Sequence, residues 1–118
     1  MQTDINIRRE DKDEITVVHV GGYLDAHTAS KFESQIQEVA DEGRYKLVLN
    51  FKDLDYISSA GLGAIMGHVE DMRTNDGDIK LAELNDSIFR VFDLVGFPSL
   101  YDIVKSQDEA LSLFGSDK

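Results

Sequence analysis

Leu54-Asp55-Tyr56-Ile57-Ser58-Ser59-Ala60-Gly61-Leu62-Gly63 decides how this chain folds. A strand-like apolar stretch ends here in a pair of hydroxyls. From that point Leu62, Ile65, Met66, Val69 and Met72 recur at the three- and four-residue spacing of one helical face. A strand therefore hands over to a helix at the serines, which stand in the open at the helix start, a position serine favours because its oxygen can accept from an unpaired first-turn amide. Asn75-Asp76-Gly77-Asp78 closes that helix as a turn.

The same strand-to-helix alternation extends in both directions. Upstream, Lys46 to Phe51 is short and apolar, the pattern of a central strand covered on both faces. Before it, Thr28 precedes Ala29, Phe32, Ile36, Val39 and Ala40, which predicts a helix from about Thr28 to Glu42 stopped by Gly43. Ile5-Asn6-Ile7 and Ile15 to Val20, joined by an acidic solvated turn at Asp11 to Glu14, predict an opening hairpin, with Gly21-Gly22 ending its second strand. Downstream come a strand at Ile79 to Leu84, a helix at Ser87 to Leu94 halted near Gly96 and Pro98, and a short strand at Tyr101 to Val104. A last helix from Gln107 presents Ala110, Leu111 and Phe114. The expected fold is α/β: a mixed, mostly parallel sheet of about five strands, with the hairpin as antiparallel edge, and about four helices. Residues 1–118 are expected to form a single domain.

Composition removes several function classes. Twenty-three acidic against 12 basic residues give a net charge of -11, which repels nucleic acid and anionic lipid. No apolar run approaches the roughly 20 residues that cross a bilayer. With no cysteine and no basic leader at Met1-Gln2-Thr3-Asp4, the chain reads as cytoplasmic, and its acidic surface favours a monomer. His19, His27 and His68 lack metal-ligand spacing, and Gly61-Leu62-Gly63 has no nearby lysine for a phosphate loop, so neither metal nor cofactor is expected. A triad of Ser59 with His27 or His68 can be drawn, but the serine lacks the Gly-x-Ser-x-Gly elbow, and no enzyme activity is expected.

In such folds functional groups collect beyond the carboxyl ends of parallel strands. Ser58, Ser59 and the loop holding Asp25 fall there. On local grounds alone one serine can be a helix cap and Asp25 a brace for the turn into the next helix. Gly61, Gly63 and Gly67 can let the helix that begins at the serines lie close to the sheet.

The chain resembles the STAS domains, and within them the bacterial anti-sigma factor antagonists. Gly22-Tyr23-Leu24-Asp25-Ala26-His27-Thr28-Ala29 is similar to the family's Gly-x-Leu-Asp-x-x-Thr-Ala segment, and Asp53 to Gly63 to its phosphorylation loop. Phe89 to Gly96 is similar to its third helix and following turn. The resemblance implies a module that, unphosphorylated, binds an anti-sigma factor with ATP-binding serine kinase activity and so frees a sigma factor. That kinase phosphorylates the module and a metal-dependent serine phosphatase restores it. Alignment places the phosphoacceptor at Ser59, with Ser58 the alternative, at a position where many antagonists carry aspartate. The implied docking patch comprises Ser59, Ala60, Gly61 and Gly63, with Ser58 and Asp25 alongside. The rival reading is a STAS scaffold or partner-switching module in a signalling complex that does not control a sigma factor directly.

Overall fold

Central strands buried on both faces build a mixed sheet with helices on either side. The computed structural model describes residues 4–115. β1 (Ile5–Lys12) and β2 (Ile15–Leu24) form the antiparallel hairpin, closed by Asp13 and Glu14. Asp13 takes the left-handed conformation at φ 57°, which aspartate tolerates better than most residues. α1 (Ala29–Asp41) ends before Gly43, whose φ of 80° supplies the left-handed stop. β3 (Lys46–Asn50), β4 (Leu54–Ile57), α2 (Ser59–Thr74), β5 (Asp78–Ala82) and α3 (Asp86–Leu94) follow. A 3-10 turn (Phe97–Ser99), β6 (Ile103–Val104) and α4 (Gln107–Gly115) complete the order. The strands lie β1-β2-β3-β5-β6, with β4 pairing β2 off this path, and every pairing except the hairpin is parallel.

The two faces of the sheet carry unequal cores. Val18, Leu47, Leu49, Ile79 and Leu81 meet Phe32 and Ile36 of α1, Leu62, Ile65 and Met72 of α2, and Ile88 and Phe92 of α3. On the other face Val17, Val48 and Ala82 meet Ala110 and Phe114 of α4. β3 is thus covered twice, which explains its unbroken apolar run. Lys80 enters the smaller core at 7% exposure because its ammonium donates a hydrogen bond to Asp102 Oδ2 at 2.7 Å and lies 4.7 Å from the centre of the Phe114 ring.

Some boundaries differ from expectation for identifiable reasons. Gly21-Gly22 do not end β2. Gly22, at φ 85°, lets the strand slip register and leave β3 for a new neighbour, with Gly22 opposite Leu54 and Leu24 opposite Ile57. A Cβ at Gly22 would sit 2.5 Å from the Asp4 carbonyl oxygen, so only glycine fits the bend. That neighbour, β4, is the sixth strand, and at four residues it is too short to show alternation. β5 stops at Ala82, two residues early, because Glu83 adopts φ 61°. Met66, assigned by spacing to the buried face of α2, is 51% exposed; Leu62, Ala64, Ile65 and Met72 form the buried face instead.

Candidate functional site

Register places the two candidate loops side by side. Leu24 and Ile57 are paired, so the chain leaves β2 at Asp25 and β4 at Ser58 from adjacent parallel strands, and Ser58 N donates to Leu24 O at 3.0 Å across the join. Asp25 is locked into the turn that starts α1. Its Oδ1 accepts from His27 N at 2.9 Å and Thr28 N at 3.2 Å, while its carbonyl accepts from Ala29 N at 2.8 Å. Thr28 Oγ1 accepts from Asp25 N at 3.0 Å and donates to Tyr23 O at 2.8 Å, so the hydroxyl expected at the helix start ties the loop back to β2 rather than capping α1.

The two serines have opposite environments. Ser58 is the N-cap residue of α2, extended at φ -103° and ψ 176°, but its hydroxyl makes no cap bond. Its Oγ is buried without a hydrogen-bond partner among the described residues. Ser59, the first helical residue, is exposed, as is Ala60. Thus the first turn of α2 carries neither a side-chain cap nor an acidic residue, leaving the positive end of the helix dipole uncompensated beside an accessible hydroxyl. Among the described residues neither serine hydroxyl is hydrogen-bonded to a histidine; His19 Nε2 instead meets Glu10 Oε1 at 3.1 Å on the sheet.

The glycines divide in the same way. Gly61 is buried, and a Cβ there would lie 2.7 Å from Leu24 O and 2.8 Å from both Ile57 Cγ1 and Leu24 Cγ, so it lets α2 sit directly on the β2–β4 join. Gly63 and Gly67 face solvent and a Cβ on either would meet nothing within 4 Å. Ser59, Gly63 and Gly67 therefore fall four residues apart on one exposed side of α2, with Met66 beside them.

Two contributors were not singled out from sequence. Asn85 caps α3 by accepting from Ile88 N at 2.9 Å and donates through Nδ2 to Leu54 O at 3.1 Å, fixing the start of β4. An asparagine just before a charged residue and an apolar periodic run was the available signal. Tyr23 and Tyr56 lie opposite each other across β2 and β4 with ring centroids 5.6 Å apart; cross-strand register, invisible without knowledge of the pairing, is what brings them together.

Comparison with known proteins identifies the family and the fold. The model of the STAS domain family matches residues 6–110. The anti-sigma-B factor antagonist of Staphylococcus aureus is 27% identical over 100 residues, covering 85% of this chain and 93% of the relative. The crystal structure of an anti-sigma factor antagonist from Mycobacterium paratuberculosis superposes with a TM-score of 0.86 at 24% identity, covering 93% of each chain. The Bacillus anti-sigma factor antagonist SpoIIAA matches in its unphosphorylated form with a TM-score of 0.81 (20% identity, 94% of this chain, 97% of that one). In its phosphorylated form the TM-score is 0.72, at 21% identity over 91% and 97%.

Proposed function

The chain belongs to the STAS domain family, and from that premise we propose that it is an anti-sigma factor antagonist switched by phosphorylation of Ser59. Unmodified, it binds an anti-sigma factor that is an ATP-binding serine kinase, and a sigma factor is released. The kinase phosphorylates Ser59 and so ends its own capture; a metal-dependent serine phosphatase reverses the modification. The chain itself performs no catalysis. It works in the cytoplasm, as one domain and as a monomer when free, its charge of -11 opposing self-association.

The observation that carries this reading is the contrast between the serines. Ser59 is exposed at the uncapped start of α2, whereas the Ser58 hydroxyl is buried. Free amides and the helix dipole tolerate a phosphoryl group at that end without unfolding the domain. The docking track runs from Ser59 and Ala60 along Gly63, with Asp25 at its edge and Gly61 holding the helix in place. Small side chains let a partner approach closely, and roughly 1.5 to 2 added negative charges with three phosphoryl oxygens prevent that approach. SpoIIAA, solved with and without phosphate, shares this fold in both forms.

The test combines phosphosite mapping of the protein from its native cells with affinity capture. We expect phosphate on Ser59, an ATP-binding serine kinase recovered by the wild-type and Ser59→Ala chains, and none recovered by Ser59→Asp. An unmodified protein under growth, stress and starvation, recovered in a homotypic assembly without a kinase, would overturn the switch in favour of a STAS scaffold.

A further inference from the structure

The chain holds three methionines and no cysteine. Met1 lies outside the described residues, Met72 is fully buried in the main core, and Met66 is 51% exposed. Met66 is therefore the sulfur that solvent reaches among the described residues, and no thiol competes with it for an oxidant. Its place on α2 adds to that access. At the spacings that bring helical side chains together, Gly63 stands three residues before it and exposed Glu70 four after, while Leu62 and Val69 stand on its other flank. Glycine supplies no side chain to shelter the thioether. Leu62 and Val69 are drawn into the main core, which leaves Met66 as an apolar shoulder beside the glycines of the proposed docking track.

We propose that Met66 is an oxidative modification site, at which peroxide uncouples the chain from its kinase without any change at Ser59. The proposal rests on the functional reading of the preceding section and adds a second input to it. The sulfur lone pair attacks one oxygen of hydrogen peroxide, the O–O bond breaks, an S–O bond forms and water leaves, so sulfur loses two electrons and peroxide gains them. A flexible apolar side chain becomes a polar, chiral sulfoxide. Position decides what that does. Seven residues separate Met66 from Ser59, two helical turns or about 10 Å along the same exposed side of α2, and an interface of standard size covers about 800 Å² of each partner, a patch about 30 Å across. A partner seated on Ser59 and Gly63 therefore covers Met66 as well. In the free chain the sulfoxide oxygen faces water and leaves the core untouched. In the complex it loses that water in a contact that holds no donor for it. Methionine sulfoxide reductase reverses the step, two thiols giving up their hydrogens to the oxygen as water and joining as a disulfide.

The experiment treats the full chain with hydrogen peroxide, removes the oxidant, and then titrates in the purified, untreated kinase recovered by capture. Peptide mass mapping should show Met66 converted before Met72, with Tm moved by no more than about 2 °C, as for a change confined to the surface. Binding should weaken about tenfold or more and return after methionine sulfoxide reductase with dithiothreitol. Met66→Leu, which retains Met1 and Met72, is compared with itself and should bind equally before and after treatment. If Met72 oxidises first, if the Met66 sulfoxide binds within about twofold of the untreated chain, or if treatment weakens Met66→Leu as much as wild type, the modification site is wrong; a Ser59→Asp chain that still fails to bind then leaves the switch standing. If Ser59→Asp binds normally, or no kinase is recovered, both readings fall.

Discussion

Gly63→Ala separates folding from docking, because the open space at this helical glycine and the proposed docking track predict effects of opposite sign. A Cβ at Gly63 meets nothing within 4 Å, so the substitution introduces no internal clash. Glycine in a helix interior costs about 0.5 to 1 kcal/mol relative to alanine, since it forfeits more backbone entropy on folding. Gly63→Ala should therefore raise stability by about that amount, a gain of about 2 to 4 °C in Tm for a chain of this size. Binding should move the other way: a methyl group inserted into a closely packed contact costs about 1 to 3 kcal/mol, or about five- to 150-fold in affinity. Gly61→Ala is the matched control. Its Cβ would lie 2.7 Å from a backbone carbonyl oxygen and 2.8 Å from Ile57 and Leu24 side-chain carbons, so it should lower Tm. Thermal melts by circular dichroism and calorimetric titration with the captured kinase read both quantities. A Gly63→Ala chain that melts lower than wild type would refute the packing argument, and one that melts higher but binds equally well would remove Gly63 from the docking track.

Ser58→Ala should leave Tm unchanged or raise it, because the hydroxyl removed is buried and unpartnered rather than capping; a loss of about 1 kcal/mol, the usual effect of deleting a serine cap, would show that the hydroxyl does cap α2 in solution. Asp25→Asn retains an oxygen able to accept from His27 N and Thr28 N but removes the charge, so binding should weaken with Tm nearly constant, and unaltered affinity would exclude Asp25 from the contact. The pH dependence of stability has a defined source in the hydrogen bonds that Arg9 donates to Asp11 and Glu42, at 2.9 and 2.7 Å, which hold both carboxyls below their ordinary range. A carboxyl with a lowered folded-state value contributes stability that is present above its unfolded value, about 3.9 for aspartate and 4.3 for glutamate, and lost as pH falls through the folded one. Tm should therefore fall below about pH 5, and less steeply in Arg9→Gln; identical slopes would show that these exposed pairs contribute nothing.

The parts of the fold legible in the sequence were those governed by periodicity. β3 announced itself as a doubly covered strand, and α1 by five apolar positions at helical spacing with Gly43 behind them. What escaped was decided by tertiary pairing. Gly21-Gly22 look like a strand terminus because glycine interrupts apolar runs, yet their effect is to let β2 bend onto β4. Three glycines of α2 look alike in sequence, but Gly61 alone abuts a carbonyl, which depends on where Leu24 lies. The adjacent serines are chemically identical, and only the extended backbone at Ser58 turns one hydroxyl inward. The pairing of Asp25 with the serine loop was an expectation from strand ends, and its physical basis is the Leu24 to Ile57 register.

The loop frame also indicates how a single phosphate would act under the proposed function. Ser58 N is bonded to Leu24 O, Gly61 wedges α2 against the same residue, and Asp25 and Thr28 lock the neighbouring turn, so the frame has little freedom to rearrange when Ser59 is modified. Nor can long-range repulsion be the main effect. The chain already carries -11, a phosphoryl group adds at most about 2 more, and at physiological salt its field is screened within about 8 Å. The consequence must then be concentrated where a partner touches α2, in a contact between small side chains that has no room for three phosphoryl oxygens and no solvent to screen them. Such an effect shortens the lifetime of the complex far more than it slows encounter, which is the behaviour required of a switch that releases its partner once that partner has phosphorylated it.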